Sequence, residues 1–154
     1  MDLPDRYHFC TRRTVEFADT DMAGIVYFTH FLRYAATAEQ EWLRALGVRF
    51  LAEDGSLAGG WPRVEASCRY RASARWPDAL RVALRVREVR TSGFSYDFWI
   101  FGPHTPAGEA LAEGSCAVAH VALDPATGRR QKNPLPEDLR RRLLAPPDQP
   151  LPAA

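Results

Sequence analysis

Residues 29–47 read THFLRYAATAEQEWLRALG, and the spacing of their apolar side chains decides the fold. Phe31, Tyr34, Ala35, Ala38, Trp42, Leu43 and Leu46 recur at three- and four-residue steps, the period of one helical face. Glu39, Gln40, Glu41 and Arg44 decorate the other side. Thr29 is the expected N-cap, and Gly47 stands where a glycine ends a helix. The stretch predicts a single helix of about four turns. A stripe that includes Trp42 and Tyr34 must be nearly surrounded by other apolar surface.

On either side of this helix the period changes to two. Upstream, Val15 and Phe17 alternate with Thr14 and Glu16, a short strand. Downstream, after a loop containing Gly55, Gly59 and Gly60, apolar residues alternate with polar ones from Val64 to Trp76, until Pro77 and Asp78 break the pattern. Leu80, Val82, Leu84 and Val86 alternate with Arg81, Ala83, Arg85 and Arg87. Turns at Thr91–Gly93 and Gly102–Gly108 then separate a strand over Phe94–Phe101 from one over Ala110–Leu123. Asp124–Gly128 is a further turn, and Pro136–Leu144 reads as a short terminal helix. One-sided strands joined by short turns form an antiparallel sheet, and one helix has one sensible place, across its apolar face. The fold class is α+β.

A chain of 154 residues has room for one domain, expected over residues 1–144. Residues 145–154, APPDQPLPAA, are too rich in proline and small side chains to build a core and are expected to fray. With 46% hydrophobic and 25% charged residues the chain is a folding one and not a disordered one. Twenty Lys+Arg against 19 Asp+Glu leave a net charge of +1, which removes the electrostatic case for a nucleic-acid partner. All the basic residues but Lys132 are arginine, an imbalance that reads as coding bias. No run approaches 18 apolar residues, so no membrane partner is expected, and the first ten residues lack the apolar core of a secretory signal. Cys10, Cys68 and Cys116 form no CxxC pair and no metal-binding spacing. The expectation is a cytoplasmic protein with reduced thiols, no metal and no cofactor.

The chemistry is concentrated in residues 15–34, VEFADTDMAGIVYFTHFLRY. Asp19 and Asp21 fall in the loop between strand and helix. An EF-hand counted from Asp19 would need Glu at its twelfth position, which is His30. A phosphate-transfer loop would follow a wholly buried parallel strand, which Glu16 interrupts. On generic grounds both aspartates serve as turn formers. Against that, a carboxylate beside a helix N-terminus has orphan N–H groups nearby that can bind a developing oxyanion, the outline of an acyl-transfer site.

This stretch resembles the signature of the hotdog-fold acyl-CoA thioesterases, in the 4-hydroxybenzoyl-CoA thioesterase-like branch, whose helix opens with D-x-D-x-x-G-x-V-Y/W. The match runs through Gly47, and weaker similarity continues to about Leu144. The resemblance implies the hotdog fold, a long helix wrapped by an antiparallel sheet, which agrees with the independent reading above. It makes Asp21 the catalytic carboxylate, acting as nucleophile or as general base through water. It makes Gly24 the motif glycine, Phe28 the residue whose backbone N–H polarises the thioester oxygen, and Tyr27 the substrate-facing aromatic before it. Asp19 takes the structural position. His30 stands where many relatives have Asn, and adds a titratable group near Asp21. Arg90, near a strand turn, is the nominee for the coenzyme A phosphates, with Arg129 and Arg130 as rivals. Tyr27, Phe28, Phe31 and Trp61 are candidates for an aromatic pocket.

The reaction so implied is hydrolysis of an acyl-CoA, aryl or aliphatic, to free acid and CoA. Hydrolysis of acyl groups on acyl carrier protein shares the pantetheine arm and is the alternative within enzymes. A non-catalytic acyl-binding protein of the same fold is the alternative outside them, weakened by the Asp21–Gly24 pairing. A hotdog dehydratase lacks its His/acid pairing in the expected segment. His8, His104 and His120 are scattered, and the cysteines lack a local histidine. A bare sheet edge, and sites that the resemblance implies are shared between protomers joined edge to edge, make the partner a second copy, as homodimer or homotetramer.

Overall fold

The computed structural model describes residues 3–51, 55, 59–106, 109–124 and 127–152. Strand β1 (Phe9–Thr14) leads through a 3₁₀ turn (Phe17–Asp19) to helix α1 (Thr29–Ala45). Strands β2 (Arg63–Tyr70), β3 (Ala79–Arg90), β4 (Gly93–Phe101) and β5 (Ala112–Ala119) follow. A small ribbon of β6 (Val121–Leu123) and β7 (Arg130–Lys132) precedes helix α2 (Glu137–Leu143). The five longer strands form one antiparallel sheet in the order β1-β3-β4-β5-β2. Helix α1 lies across it in the hotdog arrangement.

The predicted helical stripe is the one that is buried. Phe31, Tyr34, Ala35, Ala38, Trp42 and Leu43 are all at or below 4% exposure and meet Leu80, Val82, Leu84, Phe94, Tyr96, Phe98 and Ile100 from the sheet. Each large side chain buried there contributes about 1.5–3 kcal/mol of transfer free energy. The helix end follows the sequence: Gly47 takes φ +82°, its N–H reaches the Arg44 carbonyl, and Val48 N–H reaches the Leu43 carbonyl. That pair of bonds is the Schellman stop, which a residue with a Cβ adopts only under strain.

Five expectations are corrected. Thr29 is the first helical residue and not the cap; Phe28 occupies the N-cap position and offers no capping side chain. The first strand is Phe9–Thr14, while Phe17 lies in the 3₁₀ turn at 76% exposure. Two arginines mask that strand in the sequence, but Arg13 pairs with Glu41, and the ladder to β3 supplies the rest. The strand from Val64 ends at Tyr70, because Arg71 and Ala72 turn their N–H groups to the Leu111 carbonyl and leave the ladder. The last long strand breaks at His120, whose N–H bonds the Ser92 carbonyl.

The fifth correction is the tail. Tyr7 and Gln149 exchange two backbone hydrogen bonds of 2.8 and 3.0 Å, the Gln149 side chain accepts from Cys10 N–H, and Arg81 donates to the Pro152 carbonyl. Leu3 and Leu151 thereby pack on a second, smaller core of Tyr7, Ala83, Trp99, Phe101 and Ala110. The sheet is thus covered on both faces at β4, not on one. The turns expected over Gly102–Gly108 and Asp124–Gly128 lie partly outside the described residues, at 107–108 and 125–126.

Candidate functional site

The loop from Glu16 to Phe28 is built around Asp19. Its backbone N–H returns to the Glu16 carbonyl at 3.0 Å, and its Oδ2 accepts the Glu16 N–H at 3.1 Å. The carboxylate, 1% exposed, also accepts the Tyr34 hydroxyl at 2.6 Å and pairs with the Arg33 guanidinium, with His30 Nδ1 3.7 Å away. Burial opposes its ionisation, but these donors outweigh burial and hold the carboxyl below its ordinary value. Its carbonyl takes the Tyr27 N–H at 2.9 Å, which fixes where the helix begins.

Asp21 has a different environment. It stands exposed on the turn that Asp19 anchors, with its N–H on the Ile25 carbonyl and its carbonyl accepting the Gly24 N–H, each at 2.9 Å. Its Oδ1 takes the Ala23 N–H at 2.8 Å, and Oδ2 has no partner among the described residues. Gly24 closes the turn at φ +72°, with open space where a Cβ would stand. Backbone conformation therefore accounts for this glycine, rather than a close approach within the chain.

After this turn the chain enters α1. The first N–H groups of a helix lack intrahelical acceptors. His30 N–H finds the Tyr27 carbonyl at 2.9 Å, and Phe28 N–H has no acceptor among the described residues. An exposed carboxylate and a helix-start N–H, the latter without an acceptor among the described residues, are thus presented by one short segment. Beside them Tyr27, Phe28 and Tyr70 stand 46%, 53% and 43% exposed, with ring centroids 4.7 Å (Tyr27–Phe28) and 6.2 Å (Phe28–Tyr70) apart. Phe31 is buried and touches Tyr70 from below at 5.5 Å.

Asp21, Gly24, Tyr27, Phe28 and His30 are therefore brought together, and Arg90 is not. It closes β3, eleven residues from the end nearest the loop, roughly 35 Å along an extended strand. There it pairs with Glu88 at 2.8 Å and lines a cavity of about 390 Å³ with Val64, Ser92 and Lys132. Arg130 opens β7, and both it and Arg129 are exposed. Trp61 is also elsewhere, stacked on His120 at 4.5 Å and against Phe94. His120 Nδ1 lies 3.0 Å from the Asn133 and Pro134 carbonyls, a structural use. His8 ties the tail, with Nε2 3.1 Å from the Ala145 carbonyl. Cys10, Cys68 and Cys116 are free thiols.

The sequence reading missed a buried polar cluster. Glu39, assigned to the exposed face, is 3% exposed; its Oε2 accepts the Tyr96 hydroxyl at 2.6 Å and pairs with Arg63. Its helical position beside Ala35 and Ala38 was the available signal.

The thioesterase-like superfamily model matches residues 15–143, from the buried Val15 to the last turn of α2. The chain belongs to that superfamily. It is accordingly an enzyme of the thioester-hydrolase class. This thioesterase-like chain is 31% identical over 141 residues, 90% of each chain, to the 1,4-dihydroxy-2-naphthoyl-CoA hydrolase of Thermosynechococcus vestitus. The solved structure of a 1,4-dihydroxy-2-naphthoyl-CoA thioesterase from Synechocystis superposes with a TM-score of 0.73 at 29% identity, over 88% of this chain and 94% of that one. A gentisyl-coenzyme A thioesterase superposes with a TM-score of 0.71 at 22% identity, over 88% of this chain and 99% of that one, a likeness of fold. The thioesterase-like chain has no helix, among its described residues, long and apolar enough to cross a membrane, and no cluster of metal-ligating side chains.

Proposed function

We propose that this chain hydrolyses an acyl-CoA thioester to the free acid and CoA, with Asp21 as the reacting carboxylate. The observation that carries the reading is the pairing on one segment of an exposed Asp21 with a Phe28 N–H at the start of α1, one Asp21 oxygen and that N–H having no partner among the described residues. The thioester oxygen would sit on that N–H. Asp21 then attacks the carbonyl carbon, or takes a proton from a water that does. Negative charge gathers on the oxygen facing the helix N-terminus, where backbone N–H groups and the helix dipole stabilise it. Collapse breaks the C–S bond, CoA leaves as the thiolate, and the proton released from water ends on sulfur. Direct attack passes through an acyl-aspartyl anhydride that water opens afterwards.

Asp19 takes no part in these steps; its oxygens are already occupied. Tyr27, Phe28 and Tyr70 supply flat apolar walls, which suit an aromatic acyl group of the kind named for the cyanobacterial relatives. His30 lines the site beside Tyr27, at 6.4 Å between rings.

The site is shared in a homodimer or a homotetramer of such dimers. Strand β2 ends the sheet with one edge unpaired among the described residues, and Val64 and Tyr70 on it are exposed together with Phe17, Met22, Phe28 and Trp76. An apolar surface around an open edge is what a second copy covers. Arg90, too far to meet CoA bound at its own loop, would meet phosphates bound at the partner's. The three free thiols suit a reducing compartment, the cytoplasm.

The test is thiol release from a panel of aryl and aliphatic acyl-CoAs and from acyl groups on acyl carrier protein. Turnover on an aryl-CoA supports the reading. Turnover only on the carrier protein moves the substrate, and no turnover on any member makes the chain a binder.

A further inference from the structure

Glu39, Arg63 and Tyr96 form a buried ionic cluster that the reaction above leaves unused. The Tyr96 hydroxyl donates to Glu39 Oε2 at 2.6 Å, and Arg63 Nη1 reaches both that oxygen and the Tyr96 hydroxyl, the latter at 3.0 Å. Burial pushes the Tyr96 phenol up, and the Glu39 charge pushes it further, so it remains a donor. Glu39 is almost fully buried, whereas the Arg63 side chain keeps 31% exposure. A guanidinium carries five N–H donors, and the cluster uses Nη1. Donors therefore remain on the part of Arg63 that is open.

A register irregularity sets its direction. The pairing of β2 with β5 shifts between Arg63 and Glu65, and the extra residue turns Arg63 toward α1, the side that Tyr70 also faces. An ion pair at the lip of an unpaired strand is costly to desolvate, and a hydrophobic pair of the same volume would stitch helix to sheet as well.

Within one protomer the cluster cannot serve the Asp21 loop. Glu39 lies ten residues into α1, about 15 Å from the helix start. A twofold pairing of β2 edges changes this. Antiparallel copies of Arg63–Tyr70 in full overlap set Arg63 opposite the partner's Tyr70, one strand spacing of about 4.8 Å away. Tyr70 contacts Phe28 and Phe31, so the lip of Arg63 faces the aromatic walls of the other protomer's site.

We infer that Arg63 of one protomer is the polar, specificity-determining end of the partner's acyl site, where it donates to a ring hydroxyl of an aromatic acyl group. Glu39 and Tyr96 are its positioning residues. Because Glu39 already neutralises Arg63, the site favours a neutral oxygen acceptor over a second carboxylate on the ring. The inference rests on the thioesterase and dimer readings proposed above.

The experiment compares kcat/KM for benzoyl-CoA with that for 2-, 3- and 4-hydroxybenzoyl-CoA. The wild-type chain should prefer at least one hydroxylated substrate, and Arg63→Met should cut that preference about 10- to 100-fold, the worth of a hydrogen bond to a charged donor. Arg63→Lys should restore part of it. Glu39→Gln, nearly isosteric, should blunt the preference as well and carries the test if Arg63→Met does not fold. Co-expression of Asp21→Asn and Arg63→Met chains then asks about sharing. If the site is shared, mixed dimers hold one intact site, and about a quarter of all sites recover wild-type preference. A wild-type chain with no preference, equal loss on all four substrates, or no recovery in mixed dimers overturns the inference. Absence of turnover on all four overturns the underlying thioesterase reading instead, and a fully active Asp21→Asn overturns its assignment of Asp21 as the reacting carboxylate.

Discussion

The Tyr34 hydroxyl donates a 2.6 Å hydrogen bond to Asp19 Oδ2, and this bond joins the loop before the helix to the helix's own second turn. With Arg33 and the Glu16 N–H it leaves the Asp19 carboxylate fully occupied. Two residues later Asp21 keeps one oxygen without a partner among the described residues. One motif thus holds two aspartates with opposite duties, separated by where their donors lie.

Asp21→Asn should remove turnover while leaving the fold and CoA binding intact. Asn retains the size and the carbonyl that takes the Ala23 N–H. It loses the charge needed to attack a carbonyl or to take a proton from water. General-base assistance alone is worth about 10²–10⁴-fold, and a lost covalent route costs more. Steady-state thiol release, with circular dichroism and CoA titration as controls, measures all three. An active Asp21→Asn beside a dead Asp19→Asn would exchange the two assignments.

Asp19→Asn should lower thermal stability, and the loss should depend on pH with a definite sign. The native carboxyl lies below its ordinary value, so the unfolded chain binds its proton more readily. The stability gained is present above the unfolded value of about 3.9 and is lost as pH falls through the lower native one. The melting temperatures of wild type and variant should therefore differ most at neutral pH and converge in acid. A gap that stays constant down to pH 2 would mean that the charge contributes nothing.

Val64→Lys should weaken the dimer. Val64 is 66% exposed on the open β2 edge, and a lysine there puts a charge where the seam would bury apolar surface, the device that keeps sheet edges from pairing. Sedimentation equilibrium should give at least twice 17.3 kDa for the wild type at micromolar concentration. The variant should shift toward monomer, with activity falling in step. A fully active wild-type monomer would remove the shared site.

Ending the chain at Ala145 should destabilise it by about 2 kcal/mol, the Tyr7–Gln149 bond pair being worth roughly 0.5–1.5 kcal/mol per bond before the packing of Leu151 is added. That corresponds to a melting temperature lower by roughly 4–8 °C. Trp99, 2% exposed beneath this strap, should become accessible to acrylamide. Unchanged melting and quenching would show that the tail merely lies on the surface.

What the sequence determined by itself is what repeats over a few residues. The three-and-four spacing from Phe31 to Leu46 marked the buried face of α1, Gly47 marked its end, and the alternation from Leu80 to Val86 marked β3, because a local period states which side chains share a face. The D-x-D-x-x-G run likewise located the candidate site within one loop. The tertiary structure decided whatever depended on a distant partner. Glu39 is charged, and its local sequence points it to solvent, yet Tyr96, 57 residues away, and Arg63, 24 away, make its burial tolerable. The β1 strand carries two arginines and draws its stability from the ladder to β3 and from Glu41. The proline-rich tail has no periodicity, and its order comes from Tyr7, which lies 142 positions before Gln149 in the chain and hydrogen-bonded to it in space. Long-range pairs of this kind leave no trace in local spacing, since the free energy that selects them arises only when the two segments meet.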